Sequence, residues 1–159
     1  MKTTSVLLLM VGVALPVAFA NCPATFVVLS GSCLKIVENP PGAVTSPRLS
    51  WQEARNKCKE MGADLAVIGN EALLRHVSSH MIKHFPDLFY WSTWVGGLRQ
   101  NGIWKWLNGD RISVTSPMWM PNNPSNDSED VHVRLVAGAN DVLRLNQAQE
   151  AIGYICEVR

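Results

Sequence analysis

The chain has 159 residues, 47% of them hydrophobic, with 14 Lys and Arg against 13 Asp and Glu. That length and apolar fraction suit one domain with a sizeable core, and the near-zero net charge leaves no basic stripe for nucleic acid. Nucleophile–base sets, phosphate loops and metalloprotease motifs are all absent, which argues against an enzyme.

The chain opens MKTTSVLLLMVGVALPVAFA. Lys2 supplies a positive start, residues 6–15 an apolar run, and Ala18-Phe19-Ala20 a small-residue cleavage site. This is the layout of a secretory signal peptide over residues 1–20, and the apolar run is too short to span a membrane. A buried N-terminal helix, the competing reading, does not explain the three-part layout. Cleavage after Ala20 leaves one domain, residues 21–159, and removes Lys2, so that 14 less one, or 13, basic residues face 13 acidic ones. An exported chain reaches an oxidising compartment, where Cys22, Cys33, Cys58 and Cys156 read as disulfides. Spacing alone leaves all three pairings open. A four-cysteine zinc site is disfavoured because no C-x-x-C pair occurs.

In chain order, residues 26–35 read as two short strands turning at Ser30-Gly31-Ser32, and residues 39–47, rich in proline, as a loop. A helix then starts at Ser50, which with Glu53 forms an S-x-x-E capping box. Trp51, Ala54, Cys58 and Met61 recur at three- and four-residue steps, giving one buried stripe that carries Cys58, and Gly62 stops the helix. Residues 65–68 form an apolar strand. Asn70 caps a second helix whose core face is Leu73, Val77, Met81 and Phe85, ended by Pro86. His76, His80 and His84 run along a half-solvated border of that face. Neighbouring members could chelate zinc, but no carboxylate or cysteine completes the set, so no structural metal is expected there.

Beyond residue 91 the period shortens. Residues 94–98 and 103–107 read as strands, the second ending at the hairpin signal Asn108-Gly109, with residues 111–114 returning. Residues 131–136 alternate apolar with polar, and residues 151–156 make a last strand. Trp91, Trp94, Trp104, Trp106 and Trp119 sit mostly on apolar runs and read as core, with Trp119 near enough to a loop to touch a ligand. Two helices followed by short antiparallel strands define an α+β layout.

That order of signals resembles the C-type lectin-like domain over essentially the whole chain after the leader. "SWQEARNKCKEMGADLAVI" resembles the family's first helix and following strand, "WVGGL" its W-I-G-L core motif, "WKWLNGD" its W-x-W-x-x-G segment and "GYICE" its closing strand. The resemblance implies an α+β C-type lectin-like fold with two helices, short antiparallel sheets and a long irregular ligand-binding loop region. It also implies the pairings Cys22–Cys33 and Cys58–Cys156. A second internal disulfide of the family is missing: Val131 stands where one cysteine would follow Glu129-Asp130, and there is no partner near Leu143-Arg144.

The loop SPMWMPNNPSNDSED, residues 116–130, is crowded with side-chain oxygens. "WMPNNPSN" resembles the family's W-x-x-G-E-P-N-N loop, which places Asn123-Pro124-Ser125 at the sugar-reading tripeptide and implies a cis bond before Pro124. "GANDV" resembles its W-N-D, with Ala139 in place of the tryptophan. The implied calcium- and carbohydrate-binding set is Asn123, Ser125, Glu129, Asn140 and Asp141, and Asn126 with Asp130 would serve a second calcium site. Calcium takes about six to eight oxygens, and a sugar hydroxyl can share the same amides and carboxylates. Asn-Pro-Ser differs from both the mannose-type Glu-Pro-Asn and the galactose-type Gln-Pro-Asp by lacking an acid, so only Glu129 and Asp141 bring charge and calcium should bind more weakly. Asn126-Asp127-Ser128 is an N-glycosylation sequon in that loop.

The resemblance therefore implies a secreted, calcium-dependent carbohydrate-binding lectin that recognises microbial surface glycans in innate defence, with no nucleic acid or membrane partner. The alternative is a calcium-independent binder of a protein or microbial surface ligand. Single sugars bind weakly at such sites, so useful avidity would need oligomers, although no heptad repeat is present.

Overall fold

A computed structural model describes residues 22–38, 48–86, 92–125, 131–138 and 143–159. Among these the element order is β1 (Val27–Leu29), β2 (Ser32–Val37), α1 (Trp51–Glu60), β3 (Asp64–Leu65), α2 (Glu71–His84), β4 (Ser92–Gln100), β5 (Ile103–Trp106), β6 (His132–Ala137), β7 (Leu143–Ala148) and β8 (Gly153–Val158). The α+β class is as expected. The strands form one sheet in the order β1-β2-β8-β4-β6-β7, with β3 paired to β8 and β5 to β4. Pairing is antiparallel except between β8 and β4, which run parallel.

Helix α1 starts where the sequence places it. Ser50 Oγ accepts from the Glu53 N–H, and the Glu53 carboxylate accepts from the Ser50 N–H at 2.8 Å, closing the capping box. The Ser50 hydroxyl, donating to the Glu53 carboxylate at 2.7 Å, and the Ser50 N–H both lower the Glu53 pKa. Asn70 caps α2 by accepting from the Leu73 N–H at 2.9 Å. The two helices lie over different cores. Leu73, Leu74, Val77 and Met81 of α2 pack with Val95, Trp104, Trp119, Val133, Leu135, Leu145 and Ile155. Trp51, Ala54 and Cys58 of α1 pack with Leu65, Trp94, Tyr154 and Cys156. Adjacent residues of one strand (Trp94 and Val95, Tyr154 and Ile155) thus serve opposite cores, as strand alternation requires.

The disulfides join Cys22 to Cys33 and Cys58 to Cys156, and no described cysteine is free. The second ties α1 to β8, with both cysteines fully buried. The pair of glycines in "WVGGL" has a steric reason. A Cβ on Gly97 would lie 2.6 Å from Val133 Cγ2, and one on Gly96 only 2.7 Å from the Leu65 carbonyl. Here β4 passes close to two neighbours at once, and only glycine fits.

Three local expectations need correction. The strand over residues 65–68 pairs only at Asp64–Leu65. Beyond it, the Ala66 N–H turns to Ile155 O and the Val67 N–H to the buried Glu157 carboxylate, at 2.8 and 3.0 Å. A side chain therefore takes the place of a ladder partner. The return strand over residues 111–114 shrinks to a single bridge, Lys105 to Arg111. There the Asn108 side chain bonds Asp110, and Ser113 Oγ accepts from the Thr115 N–H, so local side-chain bonds win over a ladder. Finally, Trp119 is not a ligand-facing surface. It is buried, stands edge-on to Trp104 with ring centroids 5.3 Å apart, and donates its indole N–H to Ser113 O at 2.9 Å. Trp94, Trp104 and Trp106 are core as expected, while Trp91 lies outside the described residues.

Candidate ligand-binding site

The long loop leaves the core at Met118 and Trp119, and β7 fixes its departure. The Leu145 N–H donates to Met118 O at 2.8 Å, and the Met120 N–H donates to Leu145 O at 2.9 Å. Trp119 and Leu145 are both buried against the same core. The chain then turns back: the Asn123 N–H reaches Met120 O at 3.0 Å, Asn122 adopts a positive φ of 63°, and the Asn123–Pro124 bond is cis. Asn123, Pro124 and Ser125 are each half-buried.

Asn146 follows Leu145 on β7, and alternation turns it away from the core towards this loop. Its amide N–H donates to Asn123 Oδ1 at 3.2 Å. Asn146 Oδ1 in turn accepts from Arg134 Nε at 3.0 Å. Arg134 and Asn146 are cross-strand partners in the β6–β7 register. The Arg134 guanidinium is held from its other side as well, donating to Glu150 O at 2.9 Å and to Ser92 Oγ at 3.4 Å. At the far end, Asn123 Nδ2 donates to Pro121 O at 3.3 Å. A directed row of hydrogen bonds therefore runs Arg134, Asn146, Asn123, Pro121, with the positive charge at its head. Arg144, two residues earlier on β7, donates to Pro117 O at 3.3 Å and holds the loop's entry.

Of the five residues the sequence assigns to the site, the structure places Asn123 and Ser125 side by side across Pro124. Glu129, Asn140 and Asp141 lie outside the described residues, as do Asn126 and Asp130. Sequence reasoning missed Asn146 and Arg134. A usable signal existed, since Leu143-Arg144-Leu145-Asn146 alternates apolar with polar and reads as a strand.

The described side chains at this corner do not fit a calcium ion. Calcium wants about six to eight oxygens and gains affinity from carboxylates. Here the Asn123 and Asn146 amides are tied to a guanidinium. Both amide oxygens already accept hydrogen bonds, and the charge tied to them is positive.

On α2, His76 Nδ1 meets Ser30 Oγ of the β1–β2 turn. The His80 and His84 rings lie 4.5 Å apart, and the His80 pKa is lowered by burial and then by His84 and Lys83. Among the described residues no three His, Cys, Asp or Glu side chains converge as a metal site.

A two-helix, disulfide-tied α+β domain with an irregular ligand loop held against its last hairpin is the class this architecture defines. The lectin C-type domain family matches residues 47–158, and the chain belongs to that family. Among curated relatives, asialoglycoprotein receptor 1 of Mus musculus is 30% identical over 105 residues, covering 66% of this chain and 32% of that protein. The chain thus spans about a third or less of the length of the first curated relatives it matches. Human lithostathine superposes with a TM-score of 0.69 at 20% identity, covering 91% of this chain and 95% of that one. A structure described as an SPL-1–GlcNAc complex superposes with 0.67 at 18% identity, covering 87% and 95%. At these identities the structural likeness speaks for the fold.

Proposed function

We propose that this domain is a secreted carbohydrate-binding lectin that recognises glycans on microbial surfaces, a binding module and not an enzyme. The observation that carries the reading is the half-buried Asn123-cis-Pro124-Ser125 loop, which sets an amide and a hydroxyl on either side of one proline in a C-type lectin fold. Amides and hydroxyls both donate and accept, which suits neighbouring sugar hydroxyls. A relative named asialoglycoprotein receptor 1 and a fold neighbour solved with GlcNAc support a sugar ligand. The apolar leader and paired cysteines support export. Calcium dependence would require Glu129, Asn140 and Asp141 to supply oxygens around Asn123 and Ser125. The Arg134–Asn146–Asn123 row favours the second reading, binding without a metal. Avidity for a surface would come from several copies of the domain acting together.

The test is retention on immobilised mannose, galactose and N-acetylglucosamine. Asn123→Ala and Ser125→Ala should each weaken whichever retention the parent shows by roughly tenfold, the effect of losing one or two good hydrogen bonds. Retention that neither variant alters would place sugar binding elsewhere on the domain.

A further inference from the structure

The row of hydrogen bonds beside the loop assigns a job to a residue that no sugar need touch. The geometry points to Arg134 as the built-in cation of this site: its guanidinium orients Asn146, Asn146 orients the Asn123 amide, and the loop reads sugar hydroxyls directly, without calcium. The proposal rests on the lectin reading above and replaces its metal.

The argument is one of direction and charge. An isolated side-chain amide can rotate and can offer either its oxygen or its nitrogen to a ligand. Here rotation is removed at both steps. Arg134 is only a donor, so it fixes which end of Asn146 faces it, the oxygen at 3.0 Å. Asn146 must then present its N–H₂ outward, and it does so to Asn123 Oδ1 at 3.2 Å. Asn123 is left with its N–H₂ pointing along the loop, where Pro121 O accepts one hydrogen at 3.3 Å. The outcome is an oriented pair of amides whose polarity is set by a fixed positive charge. A metal ion would do the same for oxygen ligands. A divalent ion beside this row would compete with the guanidinium for the same two amide oxygens and would meet like charge.

Arg134 is firmly seated in the role. Cross-strand register puts it opposite Asn146 on β7 and next to Trp94 on β4, and its guanidinium also donates to Glu150 O and Ser92 Oγ. It is therefore a positioning residue that acts through Asn146, and the informative substitution is at Asn146. Asn146→Asp keeps the shape and keeps an acceptor for Arg134, but a carboxylate cannot donate to Asn123. Asn146→Ser, smaller and neutral, is the second variant should the acid disturb the strand. Melting curves for both check that the fold is intact.

The experiment measures retention on immobilised mannose, galactose and N-acetylglucosamine in calcium and in chelator, alongside calorimetric titration of calcium chloride into the parent protein. We expect equal retention in the two buffers, no calcium heat, and a roughly tenfold loss of retention for Asn146→Asp and Asn146→Ser in chelator. Retention that needs calcium, or a clear calcium heat in the parent, overturns the proposal and leaves the lectin reading standing. Retention in chelator that both variants preserve overturns the role of the row. No retention on any of the three matrices in either buffer overturns the lectin reading itself and the proposal with it.

Discussion

Arg55 grips Asp64 through both carboxylate oxygens, Nε to Oδ1 at 2.9 Å and Nη2 to Oδ2 at 3.1 Å. Lys59 and Arg159 also reach the same carboxylate, at 2.9 and 3.8 Å, and the Leu65 N–H donates to it at 2.9 Å. The cluster pins α1 to β3 and to the end of β8, beside the Cys58–Cys156 bridge. Burial alone would raise the Asp64 pKa, but the hydrogen bonds from Arg55, Lys59 and the Leu65 N–H outweigh it and bring it from 3.8 to about 2. A depressed carboxylate stabilises the fold above its unfolded pKa and loses that contribution as pH falls through the folded value. The window here is from about pH 4 down to about 2. Asp64→Asn should cost about 1–2 kcal/mol at pH 7, the lower part allowing for solvent screening of exposed Lys59. The difference between variant and parent should vanish near pH 2, a result that denaturant melts at several pH values would show. A cost unchanged by acid would mean that packing, and not charge, is what Asp64 supplies.

Among the described glycines Gly97 and Gly96 have the least room, with missing Cβ positions 2.6 Å from Val133 Cγ2 and 2.7 Å from Leu65 O. Gly97→Ala should destabilise by about 1–3 kcal/mol, the usual range for overpacking a well-filled core. Gly96→Ala should cost at least as much, because its obstacle is backbone and cannot change rotamer. Val133→Ala should rescue part of the Gly97→Ala loss but none of the Gly96→Ala loss, measured by urea denaturation of the single and double variants. Equal rescue of both would contradict the assigned contacts.

The two disulfides differ in what they close. Cys58 and Cys156 are 98 residues apart, and Cys22 and Cys33 are 11 apart. Chain-entropy reasoning assigns about 4–5 kcal/mol to the longer and about 3 to the shorter. Replacing Cys58 and Cys156 with Ala should therefore leave a marginal fold, while replacing Cys22 and Cys33 should lower the melting temperature and keep a cooperative transition. A milder effect at the longer bridge would show that its native loop is already ordered in the unfolded ensemble.

What could be read from the sequence was whatever is local or strongly periodic. The Ser50–Glu53 box and the Asn70 cap each reach only three residues along the chain, and both form as expected. The family motifs carried both disulfide pairings and the cis bond before Pro124. Strand β7 carries its own signal in the alternation of Leu143-Arg144-Leu145-Asn146, but the use made of Arg144 and Asn146 shows only with their partners. Those partners, Pro117 and Asn123, lie 27 and 23 residues away. The return strand after Asn108-Gly109 was over-read: a good hairpin signal sits there, but Asn108 and Ser113 spend their side chains on neighbouring residues. The site divides in the same way. Asn123 and Ser125 are legible because they flank one proline, whereas the Asn146–Arg134 pair depends on β6–β7 register.

His132 offers a last test, because it links the start of β6 to the α1 core. Its ring stacks on Trp51 at 4.6 Å and 19°, and meets the edge of Trp94 at 6.4 Å and 80°. Its strand partners are Leu98 on β4 and Ala148 on β7, so the residues facing it from α1, β4 and β7 are apolar or aromatic. Burial lowers its pKa from 6.5. The unfolded chain therefore takes up a proton near pH 6.5 that the folded chain refuses. The sign follows: this contribution to stability is complete above pH 6.5 and is lost as pH falls from there to the folded pKa. His80, depressed in the same direction, adds to the slope. His132→Phe keeps an aromatic ring on Trp51 and removes the titration. The parent should lose stability between pH 7 and 5, and His132→Phe should lose less over the same interval, with His80→Gln removing part of what remains. Stability would be followed by urea denaturation at half-unit steps of pH. Parallel parent and His132→Phe curves would mean that His132 titrates alike in both states, and that its stack on Trp51 does not keep it neutral.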